Sequence, residues 1–382
     1  MTVMIVATAG AGGDLQPLIS AALALRRRGH DTFFLGDASV ERALLPLGVE
    51  VTVLPSELDL GPRLSAVARD AMTATGGDPA AAGPLVQKGL EAWAHDIAVP
   101  VKDAIAQHRP EAIVTSLFGV EVLDIVGPSQ PWAVINSTFY VGPHLQRPAE
   151  VDFGARAIPL LTRYAALLES ADLVLHATDQ VFDFDFKDLP AAHHYAGPLG
   201  IWEPPSESPS FLREPGERWV LVTISSQLQD DVPLAEAALG ALARHPIRAL
   251  LTVGPDHEAS ELSVVPVNAR IEQTVPHSAV LAQGAFLLSH AGHGSVMKAL
   301  WFGRPMVLVP WGRDQPGVAD RAAALGVAEV VARNDATEET LFAAVGRVLG
   351  NQDMLRIASE HSERLRETDP PAVAASLLET LL

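Results

Sequence analysis

The chain contains no cysteine, which excludes disulfides and every metal site built on thiolates. Positive charge is scarce: 27 Lys and Arg stand against 46 Asp and Glu, a formal net charge of −19. So acidic a chain lacks the basic surface that nucleic acid or anionic lipid headgroups require. An anionic small ligand is not excluded, because backbone dipoles can hold one locally. No uninterrupted apolar run approaches the roughly 20 residues of a membrane helix. Met1–Ala9 is apolar but has no basic segment before it and runs into glycines, so it reads as a first strand and not a secretion signal. The default expectation is a cytoplasmic enzyme without an integral membrane segment or a nucleic-acid partner. Aromatic residues make up only 5% of the chain, so its cores must be built from Ala, Leu and Val, a packing that suits helices laid on parallel sheets.

What is present is ordered as alternating strands and helices over 382 residues, enough for two domains. Val3–Ala7 reads as a buried strand, followed by a glycine turn at Gly10–Gly13. Leu15–Arg28 then shows helical spacing, closed by Gly29, and Asp31–Leu35 reads as a second strand. Ala112–Thr115, Trp132–Asn136 and Leu173–Leu175 repeat the strand pattern. Such alternation predicts an α/β parallel sheet. The segment Ala68–Gly83, rich in Ala, Gly and Asp, reads as a loop or lid over a cleft. Between Gly197 and Glu217 five prolines fall among serines, a linker signature. A second alternation follows, with strands at Trp219–Ile224, Ala249–Val253, Phe286–Leu288 and Met306–Val309. The division is residues 1–200, a linker over 201–217, and residues 218–382.

The densest chemistry lies in the last quarter. His290, Ala291, Gly292, His293, Gly294 and Ser295 turn from an apolar strand into an apolar-periodic stretch, Val296–Phe302, that reads as a helix. Glycines let backbone amides approach a diphosphate, and a helix N-terminus offers unpaired N–H groups at the positive end of its dipole. Downstream of the Met306–Val309 strand stand Asp314 and Gln315, side chains able to grip sugar hydroxyls. Phosphate grip and hydroxyl grip together suggest a nucleotide-sugar site. Each has a simpler reading: His290 as a core histidine at a strand end, Ser295 as a helix cap, Asp314–Gln315 as a turn.

The run His290, Gly292, Gly294, Ser295, Ala299–Leu300, Gly303–Pro305, Pro310 and Asp314–Gln315 resembles the donor motif of family 1 glycosyltransferases of the GT-B fold, the type that glycosylates natural products, sterols and glycopeptides. That resemblance implies two Rossmann-like domains facing across a cleft. The first binds the acceptor and the second the nucleotide sugar, and the C-terminal helix, about residues 360–382, crosses back onto the first domain. It implies diphosphate or base contacts from Gly13, Ser226, Val275, His290, Gly292, Gly294 and Ser295, and sugar contacts from Asp314 and Gln315. No cofactor and no metal are expected; Asp183 and Asp185 form an Asp-x-Asp pair, but in a segment without a glycine turn. Lys298 stands where plant-type relatives carry a glutamate that holds the ribose hydroxyls of UDP. A lysine cannot accept those hydrogen bonds, which points toward TDP. His293, where many relatives have a small residue, is expected to face solvent or the cleft without a role.

Gly13–Asp14–Leu15–Gln16–Pro17 resembles the branch of the family with aspartate in place of the commoner histidine. Asp14 is the candidate general base, taking a proton from an acceptor hydroxyl. It would also serve as the N-cap of the first helix, whose dipole should lower its pKa. Phe118, Asn136, Phe139 and Tyr140 follow strands at their C-terminal ends, where ligands sit in doubly wound sheets, and are the candidate acceptor contacts or else ordinary core. The functional expectation is an inverting, metal-independent transfer from a TDP-deoxysugar or UDP-sugar to a lipophilic acceptor such as a polyketide aglycone. A sterol or lipid transferase, a nucleotide-sugar epimerase and a non-catalytic homologue are the alternatives, and a homodimer is left open.

Overall fold

A computed structural model describes residues 1–8, 13–141, 158–204, 209–213, 218–225, 229–254 and 257–382. The first half runs β1 (Thr2–Ala7), α1 (Leu15–Arg27), β2 (Asp31–Gly36), α2 (Ala38–Leu44), β3 (Glu50–Val53), α3 (Leu60–Ala74), α4 (Pro79–His108), β4 (Ala112–Ser116), α5 (Val120–Val126), β5 (Trp132–Asn136), α6 (Ile158–Leu168), β6 (Leu173–His176) and β7 (His193–Tyr195). The second half runs β8 (Trp219–Thr223), α7 (Val232–Ala243), β9 (Arg248–Thr252), β10 (Ala269–Glu272), α8 (His277–Gln283), β11 (Leu287–Ser289), α9 (His293–Trp301), β12 (Met306–Leu308), α10 (Gln315–Ala324), β13 (Ala328–Val330), α11 (Glu338–Gly350), α12 (Gln352–Leu365) and α13 (Pro370–Leu378).

Each half holds one parallel sheet, ordered β3-β2-β1-β4-β5-β6-β7 and β10-β9-β8-β11-β12-β13. Helices cover both faces, so the central strands are buried on both sides and read as continuous apolar runs. This is the two-domain α/β architecture expected. In each sheet the strand order reverses once, between β1 and β4 and between β8 and β11. A doubly wound sheet opens a crevice at that reversal, at the C-terminal ends of the strands. The turn after β1 carries Asp14; the turns after β8 and β11 carry Ser225 and His290–Gly292. Topology therefore delivers the two sequence motifs to the two crevices.

The expected lid over residues 68–83 is helical instead. α3 and α4 flank a short turn at Thr75–Asp78, where Gly76 and Gly77 both adopt positive φ. The alanines that seemed too small to mark a core are the strongest helix formers. The chain end also meets the first domain: Ala374, Ala375 and Leu378 of α13 share an apolar cluster with Leu18, Ala22 and Leu25 of α1. Arg28 adds an ion pair to Glu379 at 2.7 Å and a bond to the Ala372 carbonyl at 2.9 Å. Among the described residues, no helix is long and apolar enough to cross a membrane.

Candidate functional site

The glycine loop begins where β11 ends. Ala291 sits at φ 68°, a left-handed turn, and Gly292 opens α9 without a side-chain cap, leaving first-turn N–H groups for another partner. His290 is buried, and its Nδ1 lies 3.3 Å from the Thr223 carbonyl. That contact makes Nδ1 the donor, so Nε2 is the nitrogen left toward the loop. A Cβ on Gly292 would stand 2.6 Å from Nε2, so the ring leans over the glycine and requires it. Gly294 and Gly13 differ: among the described residues, apart from their own neighbours, no atom lies within 4 Å of a Cβ at either. Burial lowers the pKa of His290, with Asp231 opposing.

The first domain brings Asp14 into the field of Asp314 and Arg313 of the second. The residue is only 7% exposed, and its carboxylate accepts a hydrogen bond from the Ser137 hydroxyl. It makes no capping bond to α1, so the helix-cap reading fails. The expected direction of its pKa fails as well. Burial pushes it up to about 6; the Ser137 hydrogen bond opposes, Asp314 adds to the rise, and Arg313 pulls it down. Burial of the charged form, with the neighbouring Asp314 carboxylate, sets the direction.

Asp314 belongs to the second domain, so its charge on Asp14 spans the cleft. Burial raises its pKa too, while Thr138, Arg313 and His290 pull it down. Asp14, Asp314, Arg313 and His290 thus form one electrostatic cluster from both domains. Arg313, exposed and at φ 56°, is a member that the sequence did not single out.

Several expected contacts are otherwise engaged. Gln315 is buried; its Oε1 accepts from Trp311 N at 2.8 Å and Gly312 N at 2.9 Å, and its Nε2 donates to Gln229 at 3.2 Å. It braces the loop that presents Asp314. Asn136, Phe139 and Tyr140 have no exposed surface. Asn136 donates to the Phe139 carbonyl and meets His176; Phe139 lies 3.6 Å beneath the Arg321 guanidinium; Tyr140 stacks on Phe186. As placed, these three are core, not acceptor wall. Phe118 is half-buried against the first-domain core. Val275 packs on the second-domain core, and Ser295 lies within α9 rather than at its cap. Ser226 falls outside the described residues. The neighbouring Ser225 N donates to buried Asp231 at 2.7 Å.

His293 and Lys298 also depart from expectation. His293 is buried, its Nε2 lies 2.9 Å from Thr178 Oγ1 of the first domain, and burial drives its pKa down to about 3. Lys298 is buried and bonds Glu203 at 2.7 Å and Gln16 at 3.3 Å. Glu203 in turn accepts from His277 N, Ser278 N and Ser278 Oγ. All of its bonding capacity toward that edge is taken. Asp183, half of the Asp-x-Asp pair, is buried in an ion pair with Arg321, and Asp185 pairs with Lys187. No sequence signal marks the pairings of Lys298 with Glu203 and of Asp183 with Arg321, because their partners lie in distant segments.

Comparison with known proteins agrees with this geometry. Residues 237–380 match the family described as Erythromycin biosynthesis protein CIII-like, C-terminal domain. Demethyllactenocin mycarosyltransferase of Streptomyces fradiae is 25% identical over 97% of this chain and 85% of its own length. The crystal structure of the glycotransferase of kitacinnamycin superposes with a TM-score of 0.77 at 20% identity, covering 100% of this chain and 98% of that one. Spinosyn rhamnosyltransferase SpnG complexed with thymidine diphosphate gives 0.72 at 17% identity, with 100% of both chains covered. The chain has the two-domain GT-B fold of these structures, and its residues 237–380 are similar to the C-terminal domain of the Erythromycin biosynthesis protein CIII-like family.

Proposed function

We propose that the enzyme transfers a sugar, with inversion, from a nucleoside diphosphate to a lipophilic acceptor hydroxyl. The observation that carries this reading is buried Asp14, held by Ser137 and lying within the field of Asp314 and Arg313 of the second domain. Asp14 removes the acceptor proton as the hydroxyl oxygen attacks the anomeric carbon. The bond from that carbon to the diphosphate breaks on the opposite face. The departing negative charge is met by the first-turn N–H groups of α9, so the step needs no metal, while His290, its Nδ1–H given to the Thr223 carbonyl, shapes the loop. Asp314 accepts hydrogen bonds from sugar hydroxyls. A base with a pKa of about 6 is ionised at neutral pH yet still basic enough to hold a proton in the transition state.

The commitment of Lys298 and Glu203 to each other favours TDP over UDP. Neither can accept from a ribose 2′-hydroxyl, so the feature that distinguishes uridine gains nothing there. The thymidine diphosphate held by a structural relative supports the same choice. The acceptor is proposed to be an aglycone of natural-product type, by analogy with the mycarosyltransferase relative.

The test is the melting temperature with TDP, UDP and GDP, each in excess. A ligand that binds only the folded protein, at about 100 times its Kd, adds roughly 2.7 kcal/mol. TDP is expected to stabilise more than UDP, and UDP more than GDP. No shift with any nucleotide removes the donor-site reading; a preference for UDP removes the argument from Lys298. Gly292→Ala provides the local control. Its methyl meets the His290 ring, and the strain of about 1–3 kcal/mol should appear as a TDP affinity at least tenfold weaker, read by calorimetry.

A further inference from the structure

Ser137 has no role in the account so far, yet it touches its central residue. It follows β5 directly, and its hydroxyl donates to Asp14 Oδ1. Among the described residues this is the one side-chain hydrogen bond given to Asp14. The turn that carries Ser137 is held firmly. Asn136 Nδ2 donates to the Phe139 carbonyl at 2.8 Å, and Thr138 N donates to Asn136 Oδ1 at 3.3 Å. The turn is buried at Asn136, Thr138 and Phe139. From the second domain, His293 acts on the Ser137 main-chain carbonyl while its Nε2 meets Thr178. The Ser137 main chain is therefore held from both domains, by His293 at the start of α9 and by the turn after β5.

We infer that Ser137 is the positioning residue of the proton-accepting carboxylate: its hydroxyl engages Oδ1, holds the ionised form and leaves Oδ2 to face the acceptor hydroxyl. The inference rests on the reading of Asp14 as the base. In the transfer step the acceptor proton passes to Oδ2, the electron pair it leaves forms the new bond to the anomeric carbon, and the diphosphate departs with the electrons of the broken bond. The Ser137 proton does not move. Such an arrangement answers a difficulty of the site. Asp14 is buried and faces a second carboxylate, Asp314, and both effects favour its neutral form. A hydrogen bond to the charged form works against them. Arg313 across the cleft acts in the same sense, and the Tyr164 phenol of α6 is the other titratable group within its field.

The experiment needs no substrate. Unfolding stability is measured from pH 4 to 8 for the full chain and for Ser137→Ala, Asp14→Asn and the double variant. Ser137→Ala is expected to raise the native pKa of Asp14 by about one pH unit. Its deficit relative to the parent should therefore grow as pH rises through 5 to 7 and fade at pH 4, where Asp14 is neutral. In the Asp14→Asn background that pH dependence should vanish, and Ser137→Thr, which keeps the hydroxyl, should behave as the parent. A deficit that is constant with pH, or that persists in the Asp14→Asn background, shows Ser137 to be packing alone and overturns the inference. The two readings fail separately. An Asp14→Asn enzyme that still transfers sugar removes Asp14 as base while leaving the pairing intact; a flat deficit removes the pairing and leaves the base.

Discussion

Asp14→Asn lowers turnover by roughly 10²–10⁴-fold, the usual contribution of a positioned general base, while TDP affinity stays unchanged because the diphosphate is held by the other domain. The same substitution makes the protein more stable at neutral pH. The native pKa of Asp14 is pushed up to about 6 from 3.8. Between these values the folded state binds more protons than the unfolded one, so stability falls as pH rises through the window from about 4 to 6. Two pH units correspond to roughly 3 kcal/mol, most of it from burying a charge that catalysis requires. Asparagine carries no such charge. Melting measured from pH 4 to 8 should show a declining limb in the parent that is reduced in Asp14→Asn, with the variant melting a few degrees higher at pH 8. Activity of the parent should fall as pH drops through about 6, with protonation of the base. A variant that loses both activity and stability would make Asp14 a structural residue.

The second large effect is expected far from the chemistry. Arg321 of α10 is fully buried, and its Nε lies 2.8 Å from Asp183 Oδ1 of the first domain. Asp183 also accepts from Tyr140 N at 2.9 Å and from the Tyr195 hydroxyl at 2.8 Å, which is why the Tyr195 phenol is held far above its ordinary pKa, by burial and then by this carboxylate. Arg321 donates to the Gly317 carbonyl at 3.1 Å as well. Removing one partner of such a pair leaves a buried charge, at a cost of about 3–5 kcal/mol. Asp183→Ala should therefore lower the melting temperature by several degrees and separate the unfolding of the two domains, which calorimetry resolves. Replacing Arg321 by Met in the same chain should recover part of the loss, since an apolar pair of similar volume strands no charge. If Asp183→Ala unfolds like the parent, the pair is not what joins the domains. α10 begins at Gln315, next to Asp314, so this ion pair also sets where Asp314 meets Asp14. The bidentate pair of Arg364 with Asp179, at 2.9 and 2.6 Å, ties the adjacent segment to α12 and reinforces the same joint.

What could be seen in the sequence was local. Strands such as Trp132–Asn136 and Trp219–Thr223 are marked by continuous apolar runs bounded by polar turns, because both faces of a parallel sheet are covered. The glycine loop was legible because the chemistry of a diphosphate needs small residues in a fixed order. Asp14 could be placed at the cleft because a strand-to-helix turn leads nowhere else. What could not be seen depends on partners distant in the chain. Phe139 and Tyr140 are aromatic whether they line a pocket or fill a core, and only Arg321, on the other domain, decides that Phe139 is core. Asp183 beside Asp185 imitates a metal motif until Arg321 and Tyr195 appear. His293 looked free because Thr178 lies 115 residues away. The direction of the Asp14 pKa shift is hidden in the sequence for the same reason: the helix start is local, whereas the burial of Asp14 and the charge of Asp314, 300 residues away, exist only in the folded protein.

We propose the His290–Ser295 loop as the diphosphate site of a transferase whose base comes from the other domain. Calorimetric titration of TDP into the parent protein and into Gly292→Ala tests it most directly. One TDP per chain is expected in the parent, and at least tenfold weaker binding in a variant that remains folded. Equal affinity in the two proteins, or no binding to the parent, would contradict it.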